Sequence, residues 1–220
     1  MAGSPEKRRQ RASGSVPKAV ISRLSLYLRE IQLWERDGKE TISSTQLGKL
    51  LGFTDAQVRK DFAYFGQFGY PGIGYRCTEL TAAIRGILGT DRPWRVALVG
   101  CGNLGQALMG YRGFADRSFQ IVAAFDSDPA KIGQTLAGRR IEPLASFREV
   151  ASKLDIRMVL LAVPATVAQE VVDGLVASGV TGILNFAPVT LSLPRTVQVI
   201  GVDLAIELEQ LAYAVEQSRS

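Results

Sequence analysis

The feature that most constrains this chain is a short glycine run, Gly100-Cys101-Gly102-Asn103-Leu104-Gly105. It directly follows an apolar stretch, Arg95-Val96-Ala97-Leu98-Val99, and directly opens a segment with helical spacing. In a strand–turn–helix of the pattern G-x-G-x-x-G each glycine has its own physical reason. The first permits a tight turn, the second lets backbone approach a pyrophosphate, and the third lets the helix pack closely on the strand. The free N–H groups at the helix start then face an anionic diphosphate. A second apolar run, Phe119 to Phe125, ends at Asp126, 21 residues after Gly105. An acid at that point is placed to accept hydrogen bonds from ribose hydroxyls and would repel a 2′-phosphate. The fingerprint therefore points to NAD(H) rather than NADP(H). Its candidate ligands are Gly100, Cys101, Gly102, Asn103, Leu104, Gly105 and Asp126.

The rest of this half keeps the same alternation. Apolar runs at Ile156–Val163, Ile183–Phe186 and Val197–Val202 are separated by segments of helical period, including Pro164–Ala177. Continuous apolar strands between helices predict a parallel sheet covered on both faces, an α/β Rossmann arrangement. Ligands of such sheets lie outside the carboxyl ends of the strands. Val163 and Pro164, with Asn185, Phe186, Ala187 and Pro188, are therefore crevice candidates. Phe186 fits a nicotinamide contact and core packing equally well. The last segment, Asp203 to Gln217, carries Leu204, Leu208, Leu211 and Val215 on one stripe, for packing on its own domain or on a partner chain.

The first half is different in charge and period. Residues 1–95 hold 16 Lys and Arg against 9 Asp and Glu, a net of +7, whereas residues 96–220 hold 10 against 12, a net of −2. A basic half beside a mildly acidic one suits a polyanionic partner. Pro17 opens a helix whose apolar positions are Val20, Ile21, Leu24, Leu28 and Ile31. Two helices follow in quick succession. Ser43 and Gln46 have capping-box spacing, and Thr54 and Gln57 repeat it at once. Two short helices joined by about three residues predict a helix-turn-helix. In the second of these, Val58, Phe62 and Phe65 face inward. Gln57, Arg59, Lys60 and Tyr64 lie on other faces, as a helix seated in a major groove requires. The stretch from Gly66 to Arg76 has the glycines and aromatics of a hairpin, which makes the unit a winged helix, with Gly72 and Gly74 at a wing tip as candidate contacts to a minor groove or phosphate backbone. A further helix spans Thr78 to Leu88.

These segments divide the chain into a disordered basic arm over 1–15, a winged-helix DNA-binding domain over 16–89, a Rossmann domain over 94–202 and a terminal helix over 203–220. The 220 residues, 46% of them hydrophobic, suffice for one large domain or two small ones. No run approaches the roughly 20 apolar residues that span a bilayer, and the basic N-terminus lacks the apolar stretch of a secretory signal, so the expected location is the cytoplasm. Cys77 and Cys101 lack metal-ligand spacing, and the chain has no histidine. A zinc site is thus nearly excluded, and the cysteines read as two reduced thiols. The same absence bears on chemistry. Hydride transfer usually needs a general acid or base, and neither a histidine nor a Ser-x-x-x-Tyr-x-x-x-Lys arrangement is present. Two rival readings remain: a small NAD-dependent oxidoreductase with a helical extension, and a regulator that binds another nucleotide such as a CoA derivative. Asp126 at the ribose position argues against the second.

Taken in order, Gln57-Val58-Arg59-Lys60-Asp61, Tyr64-Phe65-Gly66, Gly72-Ile73-Gly74-Tyr75, Tyr111-Arg112-Gly113-Phe114 and Asn185-Phe186-Ala187-Pro188 resemble the Rex redox-sensing transcriptional repressors over about residues 16–217. The resemblance implies a homodimer that binds double-stranded operator DNA at an inverted repeat, senses NAD(H) as a ligand and is released by NADH. It also implies a C-terminal helix exchanged between subunits. Recognition-helix roles carry over to Gln57, Arg59, Lys60 and Tyr64, and redox-linked contacts to Arg29, Tyr111 and Asp203. For Arg29 an ordinary solvated arginine is an equally good reading.

Overall fold

A computed structural model of the chain describes residues 16–218. The basic arm expected over 1–15 and the last two residues lie outside them. The chain divides into two compact units, one ending at Arg92 and the other starting at Pro93.

In the first unit, α1 (Lys18–Arg36) buries Val20, Leu24, Tyr27 and Ile31. Ile21, expected in the core, is 36% exposed, and Tyr27, not expected there, is fully buried. The strand β1 (Thr41–Ile42) leads into α2 (Ser44–Leu51), whose Ser43–Gln46 capping box forms in both directions. The helix α3 (Asp55–Ala63) follows after a three-residue turn. Its second capping box is only half made. Thr54 Oγ1 accepts from the Gln57 backbone N–H at 3.1 Å, but the Gln57 side chain turns inward to Asp61 instead of back to Thr54.

The expected hairpin over Gly66–Arg76 is also different. Its only internal pairing among described residues is the tight turn Tyr70–Gly74. The strand β2 (Tyr75–Arg76) pairs antiparallel with β1 instead. The reason is local: Gly74 sits at φ +92°, and a Cβ there would come within 2.7 Å of the Ile42 carbonyl oxygen, so the loop is pressed onto β1. The unit closes with α4 (Cys77–Leu88), ended by Gly89 in the left-handed region.

The second unit carries β3 (Trp94–Val99), α5 (Asn103–Gly110), β4 (Phe119–Asp126), β5 (Thr135–Leu136), β6 (Arg139–Pro143), α6 (Phe147–Leu154), β7 (Met158–Leu161), α7 (Ala165–Ala177), β8 (Gly182–Asn185), β9 (Gln198–Gly201) and α8 (Leu204–Gln217). The sheet order is β5-β6-β4-β3-β7-β8-β9, parallel throughout except for the edge strand β5. Counting only the parallel strands along the chain, this is the order 3-2-1-4-5-6 of the dinucleotide-binding fold. The order reverses between β3 and β7, and there the carboxyl ends of the strands open a crevice. One core layer gathers Val99, Phe125, Phe147, Leu161, Val172 and Ile183, and the opposite face gathers Leu98, Cys101, Ala124 and Leu160. The small strands β5 and β6 and the helix α6 were not separated in the sequence. In contrast to the rest, α8 has no buried residue, and Leu204, Leu208, Leu211 and Tyr213 are each at least 58% exposed.

Candidate functional site

The glycine run sits at the β3–α5 turn, beside the reversal point. Gly100 takes φ +95°, and a Cβ on it would collide with the Ala162 carbonyl at the end of β7. A Cβ on Gly105 would collide with the Gly100 carbonyl, so helix and turn touch backbone to backbone. At Gly102 an added Cβ would meet nothing within 4 Å. This is the combination a diphosphate needs, a tightly held turn with open space where α5 begins and N–H groups lack intrahelical partners. Asn103 and Leu104 are exposed there, and Cys101 is fully buried.

Cys101 packs beneath the loop with its Sγ 3.5 Å from the Phe125 carbonyl. Burial, reinforced by the negative charge of Asp126, pushes the thiol up to about 11. Both cysteines are free and buried. Among the described residues no cluster of acidic or cysteine side chains could hold a metal.

Asp126 is placed less simply than its spacing suggests. Its side chain is only 9% exposed. One carboxylate oxygen accepts from the Cys101 backbone N–H at 2.8 Å and lies 3.2 Å from Lys131 Nζ; the other accepts from the Asp128 N–H at 2.9 Å. Burial alone would raise its pKa, but these donors outweigh burial and hold the carboxyl below the usual carboxylate range. Asp126 thus ties the glycine loop to the end of β4. The more open acid is Asp128, 44% exposed and 3.5 Å from Lys131. Lys131 was missed in the sequence, although Asp128 and Lys131 have helical ion-pair spacing.

Asn185 is likewise a brace. It is buried, donates to the Ala187 and Val189 carbonyls at 3.0 Å each, and accepts from the Ala187 N–H at 2.9 Å. These bonds shape the Phe186–Pro188 loop at the carboxyl end of β8, with Phe186 half-buried and Pro188 exposed. Val163 and Pro164 lie where β7 gives way to α7, and Pro164 occupies its N-cap. Beside the loop is a cavity of about 440 Å³ lined by Asn185, Ala187, Pro188, Val202, Asp203 and Ile206 among others. Asp203 caps α8 by accepting from the Ala205 N–H at 2.9 Å. Tyr111 is 60% exposed. Its ring stands edge-on to Phe114 at 5.0 Å, and Gly113 leaves it room. Arg29 belongs to the first unit, where its Nε donates to Glu30 at 2.9 Å.

On α3, Arg59, Lys60 and Tyr64 are exposed as expected, with Arg59 held by Asp55 at 2.7 Å and by Ser44 at 3.1 Å. Gln57 departs from expectation. It is half-buried, because its amide nitrogen donates to Asp61 Oδ1 at 2.7 Å. Gly72 lies open at the tip of the Tyr70–Gly74 turn.

The comparisons with known proteins agree with this layout. A family model described as "CoA binding domain" matches residues 91–189, and one described as "Putative DNA-binding protein N-terminus" matches residues 15–63. The redox-sensing transcriptional repressor Rex of Pelotomaculum thermopropionicum is 45% identical over 205 residues, 93% of this chain and 96% of its own. The chain belongs to the Rex family of redox-sensing transcriptional repressors. The Rex of Chloroflexus aurantiacus is 44% identical over 90% of this chain and 93% of its own. Among solved structures, RSP in complex with β-NAD+ and operator DNA superposes with a TM-score of 0.88 at 31% identity, covering 94% of this chain and 95% of RSP. RSP in complex with β-NADH gives 0.85 at 29% identity, covering 94% and 97%. The Rex relatives extend over both units, so the winged helix and the dinucleotide fold belong together in one family.

Proposed function

We propose that this Rex protein is a homodimer that binds an inverted-repeat operator when NADH is scarce and is released when NADH occupies the loop at Gly100–Gly105. The observation that carries this is the pairing of an open glycine turn at the reversal point of a 3-2-1-4-5-6 sheet with a helix-turn-helix in one Rex chain. The solved relative RSP, bound to NADH in one structure and to NAD+ and operator DNA in another, supports both ligands. Candidate nucleotide contacts are the N–H groups from Gly102 to Gly105, with the braced Phe186–Pro188 loop toward the nicotinamide end. Arg59, Lys60 and Tyr64 on α3, with Gly72 at the wing tip, face DNA.

The dinucleotide acts as a signal and is not turned over. Oxidised nicotinamide carries a positive charge and the reduced ring does not, which gives two ligands of different fit. A ligand moves a two-state equilibrium only by its difference in affinity for the two states. Domains divide as 16–89 and 94–202, with 203–220 as the dimerisation helix. The exposed stripe of α8 supports its exchange with a second copy, and Arg29, Tyr111 and Asp203 are the proposed redox-linked contacts. No helix among the described residues is long and apolar enough to cross a membrane, in keeping with a cytoplasmic place of work.

The test is operator binding with NADH, NAD+ and CoA each added in turn, alongside fluorescence titration of NADH. Release by NADH alone is expected. Equal operator affinity in NADH and NAD+ would sink the redox-sensing reading, and release by CoA alone would replace the ligand.

A further inference from the structure

The buried cluster around Asp61 fixes how α3 presents the Gln57 side chain. Asp61 is fully buried and accepts four hydrogen bonds: from Arg23 Nε at 2.6 Å and a second Arg23 nitrogen at 2.8 Å, from the Tyr27 hydroxyl at 2.8 Å and from Gln57 Nε2 at 2.7 Å. Burial alone would raise its pKa, yet these donors outweigh burial and keep it below the ordinary range, so the carboxylate is ionised. An ionised carboxylate only accepts. The side of the Gln57 amide that faces Asp61 must therefore be its nitrogen, and a flipped amide would set two oxygens against each other. Fixing the nitrogen inward leaves the Gln57 carbonyl oxygen, with one remaining N–H, as the face the side chain can offer outward. Arg23 and Tyr27 hold Asp61 from α1, so the amide's orientation is set across two helices.

We infer that Asp61 is a positioning residue that locks the Gln57 amide with its oxygen outward, and that Gln57 thereby reads the 6-amino group of one adenine in each operator half-site. Among major-groove edges adenine matches this pair, its amino group donating to the oxygen and its N7 able to accept from the remaining N–H. The inference rests on the operator-binding reading above and adds a base and a polarity to it.

The experiment uses the intact wild-type protein and an operator selected with it from random duplex DNA. Each half-site adenine is replaced in turn by purine, which lacks the amino group and still pairs with thymine. One position per half-site should lose roughly tenfold in affinity for wild type, and less than twofold for Gln57→Ala. In Asp61→Asn the neighbour can present either an oxygen or an NH2, the Gln57 amide is free to flip, and sensitivity at that position should disappear while the slope of log K against log salt stays the same. If Asp61→Asn does not fold, the free wild type still decides. The Gln57 side-chain amide should show one slowly exchanging proton by NMR, and two freely exchanging protons would overturn the lock. Tight, salt-dependent operator binding without any amino-sensitive adenine, or a Gln57-dependent preference for another base, overturns this inference alone. Failure to select any operator overturns the function with it.

Discussion

Replacing Asp126 with alanine should separate two roles that its position in the chain superimposes. If Asp126 were only a ribose ligand, its removal would weaken nucleotide binding and leave the empty protein unchanged. The geometry says otherwise. Its carboxylate receives the Cys101 and Asp128 backbone N–H groups at 2.8 and 2.9 Å, and Lys131 at 3.2 Å, with 9% of the side chain exposed. Truncation leaves two backbone donors without their acceptor, each a loss of roughly 1–3 kcal/mol. Lys131 is 35% exposed and can return to water, so its share is small. The expected loss is about 2–4 kcal/mol, which lowers the melting temperature of a unit this size by roughly 10 °C. NADH affinity should fall as well, by at least tenfold, because the loop that presents the α5 N–H groups is no longer tied to β4. The control is Asp128→Ala. Its carboxylate is 44% exposed, so stability should change by less than about 1 kcal/mol. Calorimetry of the empty protein and fluorescence titration of NADH measure the two quantities. An Asp126→Ala protein that melts at the wild-type temperature and fails only in NADH binding would refute the brace and restore the simple ribose contact.

Three further outcomes follow from the same structure. On the proposed dimer, Leu208→Glu with Leu211→Glu should leave the chain monomeric in sedimentation and cut operator binding to the weak affinity of a single half-site, since each leucine is worth roughly 1.5–3 kcal/mol when covered and both are more than half exposed in the single chain. Asp61 has a folded pKa below its unfolded value of about 3.9, so its contribution is present above pH 4 and is lost as pH falls through the folded value. Circular dichroism melts of the wild type should show this acid loss, and Asp61→Asn should flatten it. Cys101, fully buried and pushed up to about 11, should resist iodoacetamide and peroxide at neutral pH in the folded protein, read by mass spectrometry.

The fold was legible wherever the local pattern had one physical meaning. A glycine run between strand and helix admits few structures, and Gly100, Gly102 and Gly105 meet the surroundings their spacing implied. The Ser43–Gln46 cap was readable because both partners are local. The identical spacing at Thr54 and Gln57 misled because Gln57 had a competitor, a buried carboxylate one helical turn on, that no local rule weighs. The burial of Asp61 on the face of Val58 and Phe62 was not read in the sequence, and its partners on α1 lie 34 and 38 residues away. The wing was legible only in part, for a related reason. Glycines in 66–76 suggested internal pairing, whereas β2 found its partner in β1, a strand of two residues too short to show a period. Strands β5 and β6 were missed because Arg139 and Arg140 break the apolar run at the sheet's edge. Spacing put Asp126 at the end of β4 and Asn185 at the end of β8, where the structure has them, but could not say that their polar atoms are already engaged by the protein.

That engagement bears on how a nucleotide signal could leave its site. Swinging a two-state protein nearly completely takes about 10⁴-fold in differential affinity, roughly 5.5 kcal/mol. Rigidly braced groups are suited to transmit such a difference, because they move as a unit or not at all. Asn185 fixes the Phe186–Pro188 loop, and that loop shares a cavity with Asp203 and Ile206 at the start of α8. On the proposed nicotinamide contact, a displacement of Phe186–Pro188 meets the root of the helix whose apolar stripe is uncovered in the single chain. On the proposed reading a second copy covers that stripe. The free energy separating the two states is then stored in contacts that one chain does not make with itself, and an α8 variant that binds NADH normally as a monomer should respond to it with no change in DNA affinity.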